Sequence, residues 1–367
     1  MDFGLSEEQR LLADALAGFL ARELPTTRVR EIAEGDAGHD AKLWKALAEQ
    51  GAAGTLIAEE YGGSGLSLLD AVVVAHALGF AAAPTPFLAT AVMAPIALRD
   101  ASPALRREWL PRIATGDACL CVAATETWSR REGAGVREQG AQLAGRSLFA
   151  LDANAADAFL VATDAGSLAL VPRGAPRLSV RALPTLDPTR RVAELVLEGV
   201  RPADWIGARG AADLPIQRML AAGRVAVAAD LQGCCDRALA MAVDYAKQRV
   251  QFGRVIGSFQ AVKHLCAEMA AETEPARSLL WYAAHAFDAV PDEAPWLAAL
   301  AKSHLADVGR AVVRTATEVH GGIGFTDEHD LQIWYKRAHV DAWLLGGPEQ
   351  LRDHAARLQG WTATAAV

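Results

Sequence analysis

Behind Ser6 and the acidic pair Glu7–Glu8, the apolar residues Leu11, Leu12, Leu16, Phe19 and Leu20 recur at helical spacing. That pattern predicts a helix capped by Ser6, with its first-turn acids facing the positive end of the helix dipole. The same period continues through 42–50. A glycine-rich turn, YGGSGLS at 61–67, leads into another helix opening at Ser67–Asp70, which Pro84-Thr85-Pro86 breaks. From about 114 to 205 the period shortens. Strand-like runs occupy 118–124, 159–163, 168–172 and 192–197, with Gly, Pro and Asp between them, and they predict a small antiparallel β domain. From about 206 to 358 the helical period returns. Residues 219–247 form a long apolar run whose charges are confined to Arg224, Asp230, Asp236, Arg237, Asp244 and Lys247. A helix that apolar belongs inside a bundle or in an oligomer interface. Further helices are expected over 260–289 and 294–319, and the tail after Gly360 is expected to fray. The fold class is thus mainly α with a central β domain: helical over 1–113, β over 114–205, and a helical bundle over 206–367.

With 367 residues, 52% of them hydrophobic, the chain can bury a sizeable core and is not disordered. Its net charge of −8, with Lys and Arg scattered, argues against nucleic acid or an anionic membrane surface as a main partner. The five cysteines are Cys119, Cys121, Cys234, Cys235 and Cys266. Their number is odd and neither close pair has CxxC spacing, so neither a disulfide framework nor a metal site is expected. Cys234 and Cys235 should be buried free thiols. The N-terminal stretch MDFGLSEEQR lacks a secretion-signal pattern, and no apolar span has membrane length. A cytoplasmic protein without membrane insertion is expected.

Two stretches carry candidate chemistry. The first, RVQFGRVIGSFQAVKH at 249–264, has the spacing R-x-x-F-G-x(6)-Q. Arg249, with Gln251 close by, offers a cation and donors to a phosphate, and Phe252-Gly253 makes a turn where backbone can approach a ligand. The alternative reading is a helix C-cap, with Arg249 facing the dipole and Gly253 ending the helix. The second stretch, EVHGGIGFTDEHD at 318–330, has three glycines in four residues after a helix ending at His320. Thr326 is placed to cap the next helix, with Asp327 and Glu328 in its first turn and His329 at a solvated helix start. By contrast, the glycines at 62–65 follow no strand and precede no lysine, so they read as a plain loop.

Together these stretches, and the order helix–β–helix, resemble the acyl-CoA dehydrogenases, flavoenzymes that oxidise the α–β bond of a coenzyme A thioester. The resemblance implies FAD as cofactor. It assigns Arg249, Phe252 and Gln260, with Gln251 beside them, to the FAD of a neighbouring subunit. Gly321, Gly322 and Gly324 would hold its adenosine part, and Thr125 would border the flavin in the middle domain. It also implies an acyl-CoA substrate and electron-transfer flavoprotein as acceptor. The segment after Gly-Phe-Thr is similar to a branch whose members act on steroid side chains and form α2β2 heterotetramers, so a homologous subunit, or a second copy, is the expected partner.

The chain also departs from the family pattern. Where the family has a glycine-rich Thr-Glu-Pro stretch, residues 124–130 read ATETWSR. Where it has a threonine near the reactive flavin nitrogen, the stretch Gly145–Leu151 ends in Leu151, so that contact is left to backbone. The family's catalytic glutamate aligns with Leu345, and the minority position on the preceding helix aligns with Gly223. Neither can take a proton. Glu349 lies one helical turn, ~5 Å, beyond Leu345 and is explained by a helix start. Asp341 and Asp244 are expected to be solvated or ion-paired. The function implied is an acyl-CoA dehydrogenase subunit that lacks its base and pairs with a base-bearing homologue. The alternatives are a non-catalytic acyl-CoA-binding scaffold and a flavin monooxygenase-like relative.

Overall fold

A computed structural model describes residues 4–35, 38–129 and 131–361. Arg130 and the tail from 362, both named above, lie outside the described residues. In chain order come helices α1 (Glu7–Glu23), α2 (Thr26–Glu34), α3 (Ala41–Glu49) and α4 (Leu68–Phe80), a π-helical segment (Phe87–Met93), α5 (Ala94–Leu98) and α6 (Pro103–Ala114). Strands follow: β1 (Leu120–Ala123), β2 (Gly135–Gln139), β3 (Gln142–Leu151), β4 (Ala158–Ala162), β5 (Leu168–Pro172), β6 (Leu178–Leu183), β7 (Val192–Val200) and β8 (Asp204–Ile206). Helix α7 (Asp213–Gln248) leads to a small hairpin of β9 (Val250–Gln251) and β10 (Arg254–Val255). Helices α8 (Gln260–Ala289), α9 (Ala294–His320), α10 (Leu331–Trp343) and α11 (Pro348–Leu358) complete the chain. The architecture is the expected one, with helices before and after a sheet in chain order.

Local chemistry sets the helix starts. Ser6 and Gln9 form a reciprocal capping box: the Gln9 N–H donates to the Ser6 hydroxyl oxygen, and the Ser6 N–H donates to the Gln9 side chain. At α4 the Ser67 N–H and hydroxyl both donate to Asp70. The chain divides into two compact units. One comprises the residues up to Val29, Val72–Ala83 and those from Val225 onward; the other comprises Arg30–Ala71 and Pro84–Arg224.

In the unit containing the sheet, the strand order is β6-β7-β3-β1-β4-β5-β8, with β2 on β3. The pairings are antiparallel save β1 with β4, which run parallel. This corrects the purely antiparallel expectation. The hairpin of β2 and β3 separates β1 from β4 in sequence, long enough for the chain to return in the same direction. Cys121, Leu143, Phe159, Val161, Val171, Leu195 and Leu197 form the core of the sheet. The buried Thr90 of the π-helical segment donates to the Leu120 carbonyl and accepts from the Leu120 N–H, which ties that segment to β1.

In the other unit, the C-terminal half of α4 crosses α7 at a distance only glycine permits. A Cβ on Gly79 would stand 2.2 Å from the Asp230 carbonyl oxygen, and one on Gly233 would stand 2.2 Å from that of His76. Arg337 of α10 reaches the same crossing. It donates to both carboxylate oxygens of Asp230 at 2.8 Å, and to the Ala83 carbonyl that follows α4. Trp334 donates from its indole to the Gly79 and Phe80 carbonyls, and Arg237 lies over the rings of Phe80 and Trp334. Nearby, burial pushes the Asp236 carboxyl up. The hydrogen bond and charge of His76 and the charge of Arg277 outweigh that and hold it below its ordinary range. Cys234 and Cys235 are free and fully buried in this packing. Among the described residues no helix is long and apolar enough to cross a membrane.

Arg337 and Asp230 are both almost fully buried. Removing one partner strands the other charge without solvent, typically at a cost of ~3–5 kcal/mol. Arg337→Met should lower the unfolding free energy by about that much in urea titration. The double variant Asp230→Leu/Arg337→Leu should lose clearly less than the sum of its single changes.

Candidate cofactor site

Helix α7 ends at Gln248, before Arg249, and Gly253 lies five residues further on. The capping alternative for Gly253 is therefore not what folds. Val250–Gln251 pairs with Arg254–Val255 instead, and Phe252-Gly253 forms the two-residue turn between them. Both turn residues have positive φ, 51° and 75°, the geometry of a type I′ hairpin. Glycine adopts it without strain, whereas phenylalanine does so at a cost of ~1–2 kcal/mol. Phe252 is also 93% exposed. Its ring meets that of Phe259 edge-on at 6.2 Å, and a strained, exposed aromatic is a candidate for contact with something else. The Arg249 carbonyl accepts from Ile256 N–H, closing the hairpin, while its guanidinium stands exposed. Gln251 is exposed with its side chain on the Val250 carbonyl, and Gln260 is the exposed first residue of α8.

The glycine stretch folds as a 3₁₀ turn, Gly321–Phe325. Gly321 has φ 65°. No atom lies within 4 Å of where a Cβ on Gly321 or Gly322 would stand, so main chain is open to approach there. Gly324 is different: a Cβ would meet His320 and Thr317 at 2.9 Å, so it is needed for the tightness of the turn. Phe325 beside it is 78% exposed. The following helix starts later than expected. It begins at Leu331 without a side-chain cap, and the Thr326 hydroxyl donates back to the Ile323 carbonyl. His329 is half-buried rather than free in solvent. Its Nδ1 accepts from the Leu331 N–H, and its ring packs 4.6 Å from that of His320.

The two stretches meet. Tyr245, one turn ahead of Arg249, stacks on His320, the residue before Gly321, with ring centroids 4.6 Å apart. The exposed cation, the hairpin and the open glycines therefore share one end of the helical unit. This donor set, a guanidinium with approachable main-chain N–H groups, suits a diphosphate ester.

Leu345 lies elsewhere in the same unit, in the turn between α10 and α11. It is 1% exposed with φ 57°, and Gly346 follows at φ 119°. The fully buried Lys302 donates to the Ala342 and Gly346 carbonyls, 2.6 Å each, and so satisfies the end of α10 and the turn together. Gly223 is buried within α7, in the other unit. Glu349 is exposed in the first turn of α11 and faces Arg352 at 3.6 Å, as a helix-start acid should. Asp244 is exposed; Asp341 is fully buried, so it is not solvated.

The sequence profile "Acyl-CoA dehydrogenase, N-terminal domain" matches residues 6–117, and "Acyl-CoA dehydrogenase, C-terminal domain" matches 214–359. The acyl-CoA dehydrogenase IpdE2 of Mycolicibacterium smegmatis is 34% identical over 350 residues, 95% of this chain and 98% of the relative. This chain belongs to the acyl-CoA dehydrogenase family. Its fold matches the ChsE4–ChsE5 complex of Mycobacterium tuberculosis with a TM-score of 0.89 at 28% identity, over 99% of this chain and 100% of that one. It likewise matches a steroid ACAD, Tcur3481–Tcur3483, with a TM-score of 0.88 at 27% identity, over 96% and 98%. The chain is thus a member of an oxidoreductase family, and it resembles subunits of steroid-type acyl-CoA dehydrogenases.

The sheet unit holds the remaining family positions. Thr125 is buried in the short turn after β1. Glu126 accepts from the Ser147 hydroxyl at 2.7 Å and from the Leu148 N–H at 2.8 Å. It grips a bulge in β3 between Ser147 and Ala150, where Phe149 has φ 54°. Leu151 is paired on both sides, opposite Val122 and Val192. In this stretch, the backbone that leaves the ladder is at 148–149 and not at Leu151. The sequence reading missed Glu126 as an anchor, along with Tyr245 and Lys302. A usable signal existed for Tyr245 alone: it lies one helical turn before Arg249, whose N–H donates to the Tyr245 carbonyl.

Burial pushes His320 below its ordinary 6.5. Its hydrogen bond to the Ala316 carbonyl opposes this, and His329 adds to the lowering. The folded state therefore favours the neutral ring, and the unfolded chain takes up the proton first. The resulting stability is complete above pH 6.5 and is lost as pH falls through that value toward the lowered one. The protection factors of amides 316–331, corrected for the intrinsic rate at each pH, should fall from pH 7.5 to 5, and His320→Phe should flatten that fall.

Proposed function

We propose that this chain binds FAD and serves the α,β-dehydrogenation of an acyl-CoA thioester as a subunit without its own base, paired with a homologous base-bearing subunit in an α2β2 assembly. The observation that carries this reading is the Tyr245–His320 contact, which brings Arg249 and the Gly321–Gly324 turn to one place. When bound, FAD supplies the acceptor for the β-hydride. Arg249 would neutralise the pyrophosphate, with Gln251, Phe252 and Gln260 around it. Gly321, Gly322 and Gly324 would bring main chain against the adenosine half. The α-proton needs a base. Leu345 and Gly223 have no group to take it, so it passes to a carboxylate on the partner polypeptide. The partnership is supported by relatives solved as complexes of two named chains. Electron-transfer flavoprotein is the proposed acceptor, and the cytoplasm the proposed setting. The loss of a hydroxyl at Leu151 favours a second reading, a non-catalytic acyl-CoA-binding homologue, for which no flavin absorption would appear under any pairing.

Co-expression with a base-bearing homologue should yield a complex with flavin absorption that oxidises acyl-CoA at least ~10²-fold faster than this chain alone. An ordinary rate from the chain by itself overturns the reading. Leu345→Glu should give the flavin-loaded chain measurable acyl-CoA oxidation. It should also lower the urea midpoint, because the new carboxylate enters a buried position in left-handed backbone.

A further inference from the structure

Tyr245, His320 and His329 form a pile of three rings. Tyr245 stacks on His320 at 4.6 Å and 28°. His329 lies 4.6 Å from His320 on a tilted plane and meets Tyr245 edge-on at 6.4 Å. Each ring belongs to a different segment. Tyr245 is on the last full turn of α7, ahead of Arg249. His320 ends α9, directly before the glycine turn, and His329 follows that turn, ahead of α10. The pile therefore clasps both ends of the segment 321–328 and fastens it to the helix that carries the arginine.

The groups so joined are themselves lightly held at the ligand face. Gly321 and Gly322 have no side chains and no neighbours within 4 Å of a Cβ position. The Arg249 guanidinium is exposed, and its hairpin closes on α7 through main-chain bonds. His320 is the better fixed ring: it is buried, its Nδ1–H donates to the Ala316 carbonyl at 2.7 Å, and its Cβ forms the floor under Gly324. His329 is oriented by the Leu331 N–H.

We propose that the Tyr245–His320–His329 pile is a positioning device that sets the spacing between the Arg249 guanidinium and the Gly321–Gly324 main chain, so that both engage one pyrophosphate-bearing ligand. The inference rests on the FAD reading above and assigns these three residues no contact with the reacting atoms. Its physical content is pre-organisation. If the two halves of the site move independently, each keeps its chemistry but the ligand must order them on binding, and affinity falls.

The test uses the full chain, as isolated or with its base-bearing homologue, with FAD as probe. Tyr245→Ala should raise the FAD dissociation constant at least tenfold and speed amide exchange of 321–326 without ligand. Tyr245→Phe, which keeps the ring, should stay within twofold of the unmodified chain in both readouts. His329→Ala provides a second route should Tyr245→Ala fail to fold. It should weaken FAD severalfold while the melting temperature stays unchanged. Unchanged FAD affinity in Tyr245→Ala or in His329→Ala overturns the proposal. So does a Tyr245→Phe variant as weak as Tyr245→Ala, since the hydroxyl and not the ring would then matter. An unmodified chain that takes up no FAD in either form overturns the flavin reading and the positioning role with it. Binding by the unmodified chain together with equal binding by the variants removes the positioning role alone.

Discussion

The buried pair of Arg337 and Asp230 holds the helical unit in its working arrangement. It sits where α4 and α7 approach closely enough to need Gly79 and Gly233, and it brings α10 to the same crossing. A buried ion pair contributes little net stability against a well-packed apolar alternative, but it penalises any arrangement that separates the charges. Here that property fixes directions. Asp230 lies 15 residues before Tyr245, so the orientation of α7 at the crossing is carried ~22 Å along a rigid helix to the ring pile. Arg337 is on the helix that ends at Trp343, two residues before Leu345. One contact thus constrains both the end of α7 that meets the ring pile and the turn that holds Leu345.

The turn at Leu345 uses the same device. The ammonium of Lys302 is out of water and is satisfied by carbonyls at the close of α10 and in the turn itself. An amine so placed holds backbone geometry without regard to the side chain at 345. The left-handed backbone of Leu345 persists although leucine gains nothing from it. The turn has kept a demanding shape, while the residue it presents is apolar and buried. That combination is what a chain would show if the geometry of the fold were still needed and the proton transfer were not.

What could be read in the sequence depended on whether the deciding force was local. Ser6 with Gln9, the bounds of α8 and β5, and the burial of Cys234 and Cys235 all follow from periodicity and capping, which act over a few residues. The turn at Phe252-Gly253 was legible but a helix end stayed open as the alternative, because glycine after an arginine serves either purpose, and the choice is made by Val250 pairing with Val255. β2 and β3 went unnoticed because only one face is buried, and the bulge at 148–149 interrupts the alternation. The parallel pairing of β1 with β4 is a matter of topology, which no local pattern records. His329 was placed at a solvated helix start because an imidazole near a helix end usually is in water. Its stacking comes from His320 and from Tyr245, which is distant in sequence. At the candidate site, the residue types of the arm and of the glycine turn were legible, but their meeting through Tyr245 and His320 was not.

Under the proposed function, these constraints bear on why the chain would keep one half of a chemical site without the other. Gripping a dinucleotide needs charge, open main chain and fixed spacing, and those belong to the end of the bundle formed by α7 and α9. Moving a proton needs one carboxylate at one position, and that position is a separate turn on a different pair of helices. Because the two are separate turns, a residue without a carboxylate at 345 is compatible with an intact Arg249 and intact glycines. An assembly of two related chains can then divide the labour, one contributing the grip and the other the base, with the shared fold keeping both in register. A scaffold with no cofactor would have no comparable reason to hold Phe252 strained and exposed, or to keep Gly321 and Gly322 clear of neighbours.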